Sequence, residues 1–456
     1  MLFTSFLTFL VFSSLKSNSI VGFNLLINRL GIITISFVLI LTILSIDLIS
    51  LVPGFTLFNN WFSLTSLNLP FIILILLLVI SLLIYNTFNN KNNINSPYFL
   101  LIVLANLIGL LLFPLVNDLL ALYVLIELQS YSLYLLTGLH NRSFNASRAS
   151  LLYFLMGGVA STIILLALYF IYSTTGSTNL TDVLIYSSYS NSIFNNFDIL
   201  VIALLFKMGL APLHRWSIAV YNYAPTYITA YISIVAKLSI IAWLYSNNIL
   251  YSNYILIIFF YLSLFIGAYK PLFQINIKTI LAYSGILNFG YILLALMSSD
   301  ISLYIYIIQY VLTHIVIFLI ILASSEYIDN PISKWSPLTY IHQLKLPNLT
   351  LSFSLIIALF SLIGIPPLPG FYAKLSILAS ALADNLVLES LVLVICSVIA
   401  TYYYANIIKI SMQSKTIIGP TVNPVLAYVI ASSTLLLISF FIVLPYISEG
   451  LYLLII

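Results

Sequence analysis

Long apolar runs dominate the chain, and polar residues gather in short stretches between them. The runs are continuous rather than alternating, and most can cross a hydrocarbon layer of about 30 Å as a helix. They predict fourteen spans, at 2–15, 30–52, 67–86, 97–115, 118–138, 149–173, 198–222, 225–246, 253–270, 276–298, 301–323, 348–381, 388–410 and 425–446. Backbone groups facing lipid tails have no water to bond, so a spanning segment is a helix or part of a closed barrel. Unbroken apolar runs fit helices. The pattern reads as an all-α polytopic membrane protein.

Spans 7 and 12 differ from the rest. Both exceed what a bilayer needs, and both carry Gly and Pro near the middle. One reads Gly209-Leu210-Ala211-Pro212-Leu213 and the other Gly364-Ile365-Pro366-Pro367-Leu368. Proline removes an amide donor and clashes with the preceding turn, so both spans are predicted to be broken. The motifs lie five spans apart. Five is odd, so the second copy would run inverted relative to the first, as in many transporters. Two unrelated proline kinks would give the same five-residue match. The repeat reading divides the chain into a three-helix segment at 1–96, five-helix repeats at 97–246 and 247–411, and a last helix and tail at 412–456.

Composition agrees with a membrane protein. The chain of 456 residues is 62 % hydrophobic and 6 % charged, with a mean hydropathy of +1.16. No soluble domain of this size hides so much apolar surface. Charge then tests the span count. With fourteen spans, one side collects Lys16, Arg29, Lys91, Arg142, Arg148, Lys270, Lys278, Lys334, Lys345, Lys409 and Lys415. The other side holds no Lys or Arg, but does hold Asp118, Asp182, Asp198, Asp300, Asp384, Glu389 and Glu449, with Asp47 near it. Positive charge marks the matrix or cytoplasmic side, so both termini are expected on the opposite side. The N-terminus shows neither a secretory signal nor an Arg-rich presequence. Together with a Leu, Ile, Asn, Tyr and Phe bias typical of an AT-rich genome, this suggests an organelle-encoded inner-membrane protein.

The remaining charges carry the chemistry. Lys207, Arg215, Lys237 and Lys374 fall inside spans, and Glu127 is the one carboxylate placed in mid-span. Ionisable groups in hydrocarbon are costly and usually functional. A lysine taken out of water holds its proton less tightly, and a nearby carboxylate restores that grip. A lysine whose carboxylate partner comes and goes is therefore a proton switch. Glu127 and Lys207 are the natural pair, and Lys237 follows on the next span. His214 and a few hydroxyls lie near the first break, and Lys374 follows the second. A static pair tying spans 5 and 7 is the plainer reading of Glu127 and Lys207. Lys237 and Lys374 have no partner obvious in sequence, which that reading leaves unexplained. Arg215 can snorkel to the surface. His314 lies within span 11 and carries no assigned role, and His140 and His342 read as solvated loop residues.

Other chemistry is not signalled. Cys396 is the single cysteine, so no disulfide framework or cysteine metal site follows. The histidines lack metal-ligand spacing. Nucleotide loops, haem or iron–sulfur ligand patterns and a Ser–His–Asp signature are missing, and nothing suggests nucleic acid. Gly157-Gly158 reads as a close helix-packing point.

One stretch is more specific. Phe206-Lys207-Met208-Gly209-Leu210-Ala211-Pro212-Leu213-His214-Arg215-Trp216, followed by Val220-Tyr221-Asn222-Tyr223-Ala224-Pro225-Thr226 and then Lys237, resembles the antiporter-like membrane-arm subunits of respiratory complex I. Ile277-Lys278-Thr279-Ile280-Leu281-Ala282-Tyr283-Ser284 resembles that family's tenth-helix start. The resemblance covers about 97–411, while the first three spans match by count only. Tyr221 to Pro225, the short C-terminal tail and Lys374 set the chain apart from subunits 4 and 5 of that group.

The resemblance implies fourteen core helices in two inverted five-helix bundles, with helices 7 and 12 broken. It implies proton translocation driven by quinone reduction elsewhere, with no cofactor in this chain and no direct NADH or quinone contact. Glu127 and Lys207 would be the helix 5–helix 7 pair and Lys237 the central lysine. His214 would join Lys207 to Lys237 through water. Lys374 would exchange protons with one side or a neighbour. Implied neighbours are other membrane-arm subunits, notably subunits 4 and 4L, and lipids such as cardiolipin. A free-standing cation/proton antiporter and a non-conducting scaffold stay open as alternatives.

Overall fold

Apolar residues, many of them β-branched or aromatic, fill the runs, and each run is helical because its backbone must close its own hydrogen bonds away from water. The computed structural model describes residues 1–15, 21–46, 55–88, 98–139, 143–187, 192–298, 300–327, 339–344, 346, 348–412 and 422–455. Helices α1 to α4 are Leu2–Leu15, Val21–Leu44, Leu69–Phe88 and Phe99–Leu112. Next come α5 Leu119–Gly138, α6 Phe144–Thr175, α7 Leu180–Ser187 and α8 Ser192–Met208. They are followed by α9 Arg215–Tyr223, α10 Thr226–Ser246, α11 Asn253–Tyr269, α12 Ile277–Ser298 and α13 Ser302–Ala323. The last four are α14 Leu349–Ile363, α15 Pro369–Ala383, α16 Val387–Met412 and α17 Pro424–Ile455. Among the described residues, ten helical segments are long and apolar enough to cross a membrane.

Every predicted span contains a helix, but some boundaries move. The second starts at Val21 rather than residue 30, so Arg29 lies on α2 and not in a loop. Its long stem lets the charge leave hydrocarbon without ending the helix. Two small elements go beyond the pattern of apolar runs. Helix α7 is one, and the hairpin of β1 (Phe55–Leu57) and β2 (Phe62–Leu64) is the other. Phe55 pairs with Leu64 in that hairpin, and Phe58, Asn59 and Asn60 turn it at positive φ. Three-residue strands are too short to show a period. Lys16, Asp47, Lys91, His140, Arg142, Lys334, Lys345 and Lys415 lie outside the described residues.

The chain divides into two compact units: residues 1–208 with 235–255, and residues 209–234 with 256–456. In the first unit α5 packs against α4 and α6, α6 against α8, and α2 against α3. In the second unit α13 packs against α14, α15 and α17, and α12 packs against α9 and α15. Helices α12 and α13 are mostly apolar and buried nearly throughout, as core helices are, and they carry buried polar residues such as Lys278, Asn288, Gln309 and His314. Helices α6, α16 and α17 leave a face of large apolar side chains exposed, such as Phe154, Tyr402 and Ile442. Lipid suits that face.

Both predicted breaks are present. The first separates α8 from α9, and the second separates α14 from α15. Gly209 has φ 71° and Gly364 φ 92°, a region that costs an L-residue energy. Gly364 ends α14 as a left-handed cap, its N–H bonded to Phe360 O at 2.9 Å. Pro369 then opens α15 at a position that needs no N–H.

A Cβ on Gly370 would run into the Ser361 carbonyl of α14, whereas one on Gly158 would meet nothing. Gly370→Ala is therefore expected to destabilise the second unit by about 1–3 kcal/mol, as overpacking does. Gly158→Ala is the control. A lower thermal midpoint for the first and an unchanged one for the second, in the membrane-extracted protein, checks this.

Candidate functional site

Asp118 sets the start of α5. Its Oδ1 accepts from the amides of Leu120 and Ala121 at 2.8 and 3.4 Å. Its Oδ2 accepts from Thr178 Oγ1 at 2.8 Å, so this acidic residue is a buried cap and not a free loop charge. Helix α5 then carries Glu127 inward. Lys207 comes from the last turn of α8, where unbonded carbonyls favour a cation. Lys207 Nζ donates to Glu127 Oε1 at 2.6 Å, and the two side chains are only 7 % and 12 % exposed. Ser130 Oγ reaches Glu127 Oε2 at 3.4 Å. The structure thus joins the two residues that the sequence pairs.

A polar cross-brace beside this pair has no counterpart in the sequence reading. Gln129 Nε2 donates to Gly109 O on α4 at 2.8 Å, and Gln129 Oε1 accepts from Ser239 Oγ on α10 at 3.2 Å. Asn106 Nδ2 donates to Gln129 O at 3.0 Å and to Ser132 Oγ at 2.8 Å. Buried amides need such partners. Lys237 lies on α10 two residues from Ser239 and is buried.

In the second unit, His214 starts α9 and is buried, with Nδ1 3.1 Å from Pro212 O. A carbonyl only accepts, so this bond requires the proton on Nδ1 and leaves Nε2 an acceptor in the neutral ring. Its ring lies 6.1 Å from that of Tyr283. Arg215, one residue later, is exposed.

Lys374 has a partner that no residue type announces. Its Nζ donates to Leu362 O at 2.8 Å and Ile363 O at 2.9 Å. These are the last carbonyls of α14, left open by the break. Nζ also lies 5.3 Å from the centroid of the Tyr291 ring. Lys374 is a half-buried cation capping the break in its own span.

Two placements add to the sequence reading. Lys278, counted on the basic side and inside the predicted span 276–298, lies in the first turn of α12, buried, with Nζ donating to Ala224 O at 2.8 Å. That carbonyl is at the C-terminal cap of α9, where a cation is favoured. His314, which has no role from sequence, is buried with Nδ1 3.0 Å from Tyr310 O and its ring 4.0 Å from the Tyr310 ring. His342 is exposed and stacked on Tyr340, as a solvated residue would be. Gly157 is a close-packing point, since a Cβ there would strike the Tyr134 hydroxyl. Among the described residues, no group of three or more His, Cys, Asp or Glu side chains is placed to hold a metal ion.

Comparison with known proteins fits this arrangement. Residues 116–400 match the family described as NADH:quinone oxidoreductase/Mrp antiporter, TM. The chain is 62 % identical over 454 residues to NADH-ubiquinone oxidoreductase chain 2 of Debaryomyces hansenii, covering 99 % of each. It is 51 % identical to the protein of that name from Candida albicans, covering 100 % of this chain and 96 % of the other. A chain of respiratory complex I from Thermus thermophilus shares the fold, with a TM-score of 0.80 and 23 % identity over 99 % of this chain and 98 % of that one. With a matching family over most of its length and relatives this similar end to end, the chain belongs to the NADH-ubiquinone oxidoreductase chain 2 family, among the membrane subunits shared by NADH:quinone oxidoreductases and Mrp antiporters.

Proposed function

We propose that the chain is a proton-translocating core subunit of NADH:ubiquinone oxidoreductase in the mitochondrial inner membrane. The Glu127–Lys207 pair carries this reading. It is a 2.6 Å ion pair inside an apolar helix bundle, ending at a helix break. Such a pair adds little net stability over apolar packing. Its value lies in being opened and closed.

Quinone reduction elsewhere in the complex supplies the driving force. When Glu127 holds Lys207, the ammonium form is favoured. When Glu127 is neutralised or drawn away, Lys207 releases its proton towards His214 and Lys237. Lys374 exchanges the proton with one membrane side or a neighbour. A lysine ammonium gives up a proton but offers no oxygen to a sodium ion, so three lysines favour proton transfer over cation exchange. The chain itself needs no cofactor. NADH and quinone bind elsewhere, membrane-arm subunits such as 4 and 4L lie alongside, cardiolipin fits the exposed apolar faces, and both termini face the intermembrane space.

Native-gel separation of solubilised membranes, with NADH dehydrogenase staining and mass spectrometry, tests this. The chain is expected in a very large NADH-oxidising band. Recovery only in a small, NADH-inactive assembly would reject the reading and favour a separate cation/proton antiporter. A second test uses Lys237→Arg. Arginine stays charged in proteins, so this variant is expected to assemble but lose proton pumping. Normal pumping by it would remove Lys237 from the relay.

A further inference from the structure

Gln129 uses both ends of its amide to link helices. Its Nε2 donates to Gly109 O on α4 at 2.8 Å, and its Oε1 accepts from Ser239 Oγ on α10 at 3.2 Å. Gln129 and Ser239 are buried, and both lie in the first unit with Glu127, Lys207 and Lys237. Gly109 lets α4 come close, since a Cβ there would strike Gln129 Cγ.

The second unit makes a contact of the same spacing with apolar side chains. A Cβ on Gly267 of α11 would run into Leu287 on α12, and one on Gly290 into Leu264. Gly267 and Leu287 stand twenty residues apart, as Gly109 and Gln129 do, and Leu264 and Gly290 are spaced as Asn106 and Ser132 are. Close packing of two such helices therefore does not call for an amide. Gly109 O does not call for one either, because it already accepts from the Phe113 amide. What Gln129 adds over a leucine is the reach to a third helix.

That third helix carries Lys237, two residues before Ser239. Gln129 likewise follows Glu127 by two on α5. Residues two apart on a helix point to nearly opposite sides. The Gln129–Ser239 bond therefore ties the rotation of α5, which aims Glu127 at Lys207, to the rotation of α10, which aims Lys237. A turn of about 20° would swing the tip of a long side chain by roughly 2 Å, and proton transfer needs finer placement than that.

We propose that Gln129 is a positioning residue for the relay, holding α10 so that Lys237 keeps its place relative to the Glu127–Lys207 pair. The proposal rests on the proton-relay reading above.

The test uses the assembled complex in coupled vesicles. Gln129→Leu keeps the packing on Gly109 and the Asn106 bond to the carbonyl of residue 129, and loses the link to α10. It is expected to reach wild-type level on native gels and to pump about tenfold more slowly. Ser239→Ala is expected to do the same, and the double variant to be no slower than either, since all three break one bond. Gln129→Glu gives a readout that packing alone would not move. Its protonated acid donates to Gly109 O and accepts from Ser239, whereas the ionised form only accepts. Its rate relative to Gln129→Leu is expected to be highest at acid pH and to fall as pH rises. Both variants have the same charged groups on their own and neighbouring helices, namely Glu127 on α5, Arg148 on α6, Lys207 on α8 and Lys237 on α10, with none on α4. A ratio that stays flat, or wild-type pumping by Gln129→Leu or Ser239→Ala, would overturn the role. Should one single variant fail to assemble, the other decides. Loss of both from the native gel would make the brace a structural tie and overturn the role as well. Lys237→Met separates the two readings. If it stops pumping while Gln129→Leu pumps normally, only the brace fails. If Lys237→Met itself pumps normally, the relay through Lys237 fails, and the positioning role with it.

Discussion

Lys207→Met is expected to abolish proton pumping and to lower the amount of assembled complex, while Glu127→Gln/Lys207→Met recovers assembly and stays inactive. The pair is a 2.6 Å contact between side chains 7 % and 12 % exposed. Removing the lysine strands a carboxylate in a low-dielectric interior, at a cost of about 3–5 kcal/mol. Removing both charges leaves a neutral amide beside an apolar chain of similar length, and Ser130 remains to bond the amide. Assembly therefore follows the imbalance of charge, whereas pumping follows its presence. Stained native gels report the first. A pH-sensitive dye in sealed vesicles reports the second. Wild-type pumping by the double variant would mean that the pair is a tie between helices and nothing more. Full assembly of the single variant would mean that Glu127 is better solvated than its burial indicates.

That pair is legible in the sequence because charge is conspicuous in an apolar run. Glu127 and Lys207 stand alone among Leu, Ile and Phe, and each needs the other. The two breaks are legible for a similar reason, since Gly with Pro cannot continue a helix. What stays hidden depends on groups every residue has. Lys374 bonds the carbonyls of Leu362 and Ile363, and Lys278 bonds that of Ala224. A backbone carbonyl has no letter in a sequence, although a predicted break implies that some are left open. Gln129 and Ser239 are hidden in another way, because uncharged polar residues in spans are common and their pairing depends on helix rotation. Arg29 misleads in the opposite direction. Its charge reads as the mark of a loop, yet it lies within α2, because a long side chain carries the charge to the surface.

Lys374 gives the second large effect, and two substitutions separate its duties. Lys374→Arg is expected to assemble normally and fail to pump, and Lys374→Met to be impaired in both. An arginine offers five donors, enough to hold the open carbonyls of Leu362 and Ile363, and its flat group stacks well on the Tyr291 ring. The break in the span stays capped. The guanidinium does not release its proton at any working pH, so a step that passes through a neutral residue 374 stops. Methionine keeps the length and loses every donor. Two buried carbonyls then lose a charged partner, worth about 1.5–3 kcal/mol for each such bond, and the cation that offsets the negative end of α14 goes with it. Comparing the native-gel yield of the two variants with their pumping rates checks both halves. Normal pumping by Lys374→Arg would leave residue 374 a cap alone. Normal assembly of Lys374→Met would show that water closes the break equally well, and the lysine would then be kept for its proton and not for its bonds.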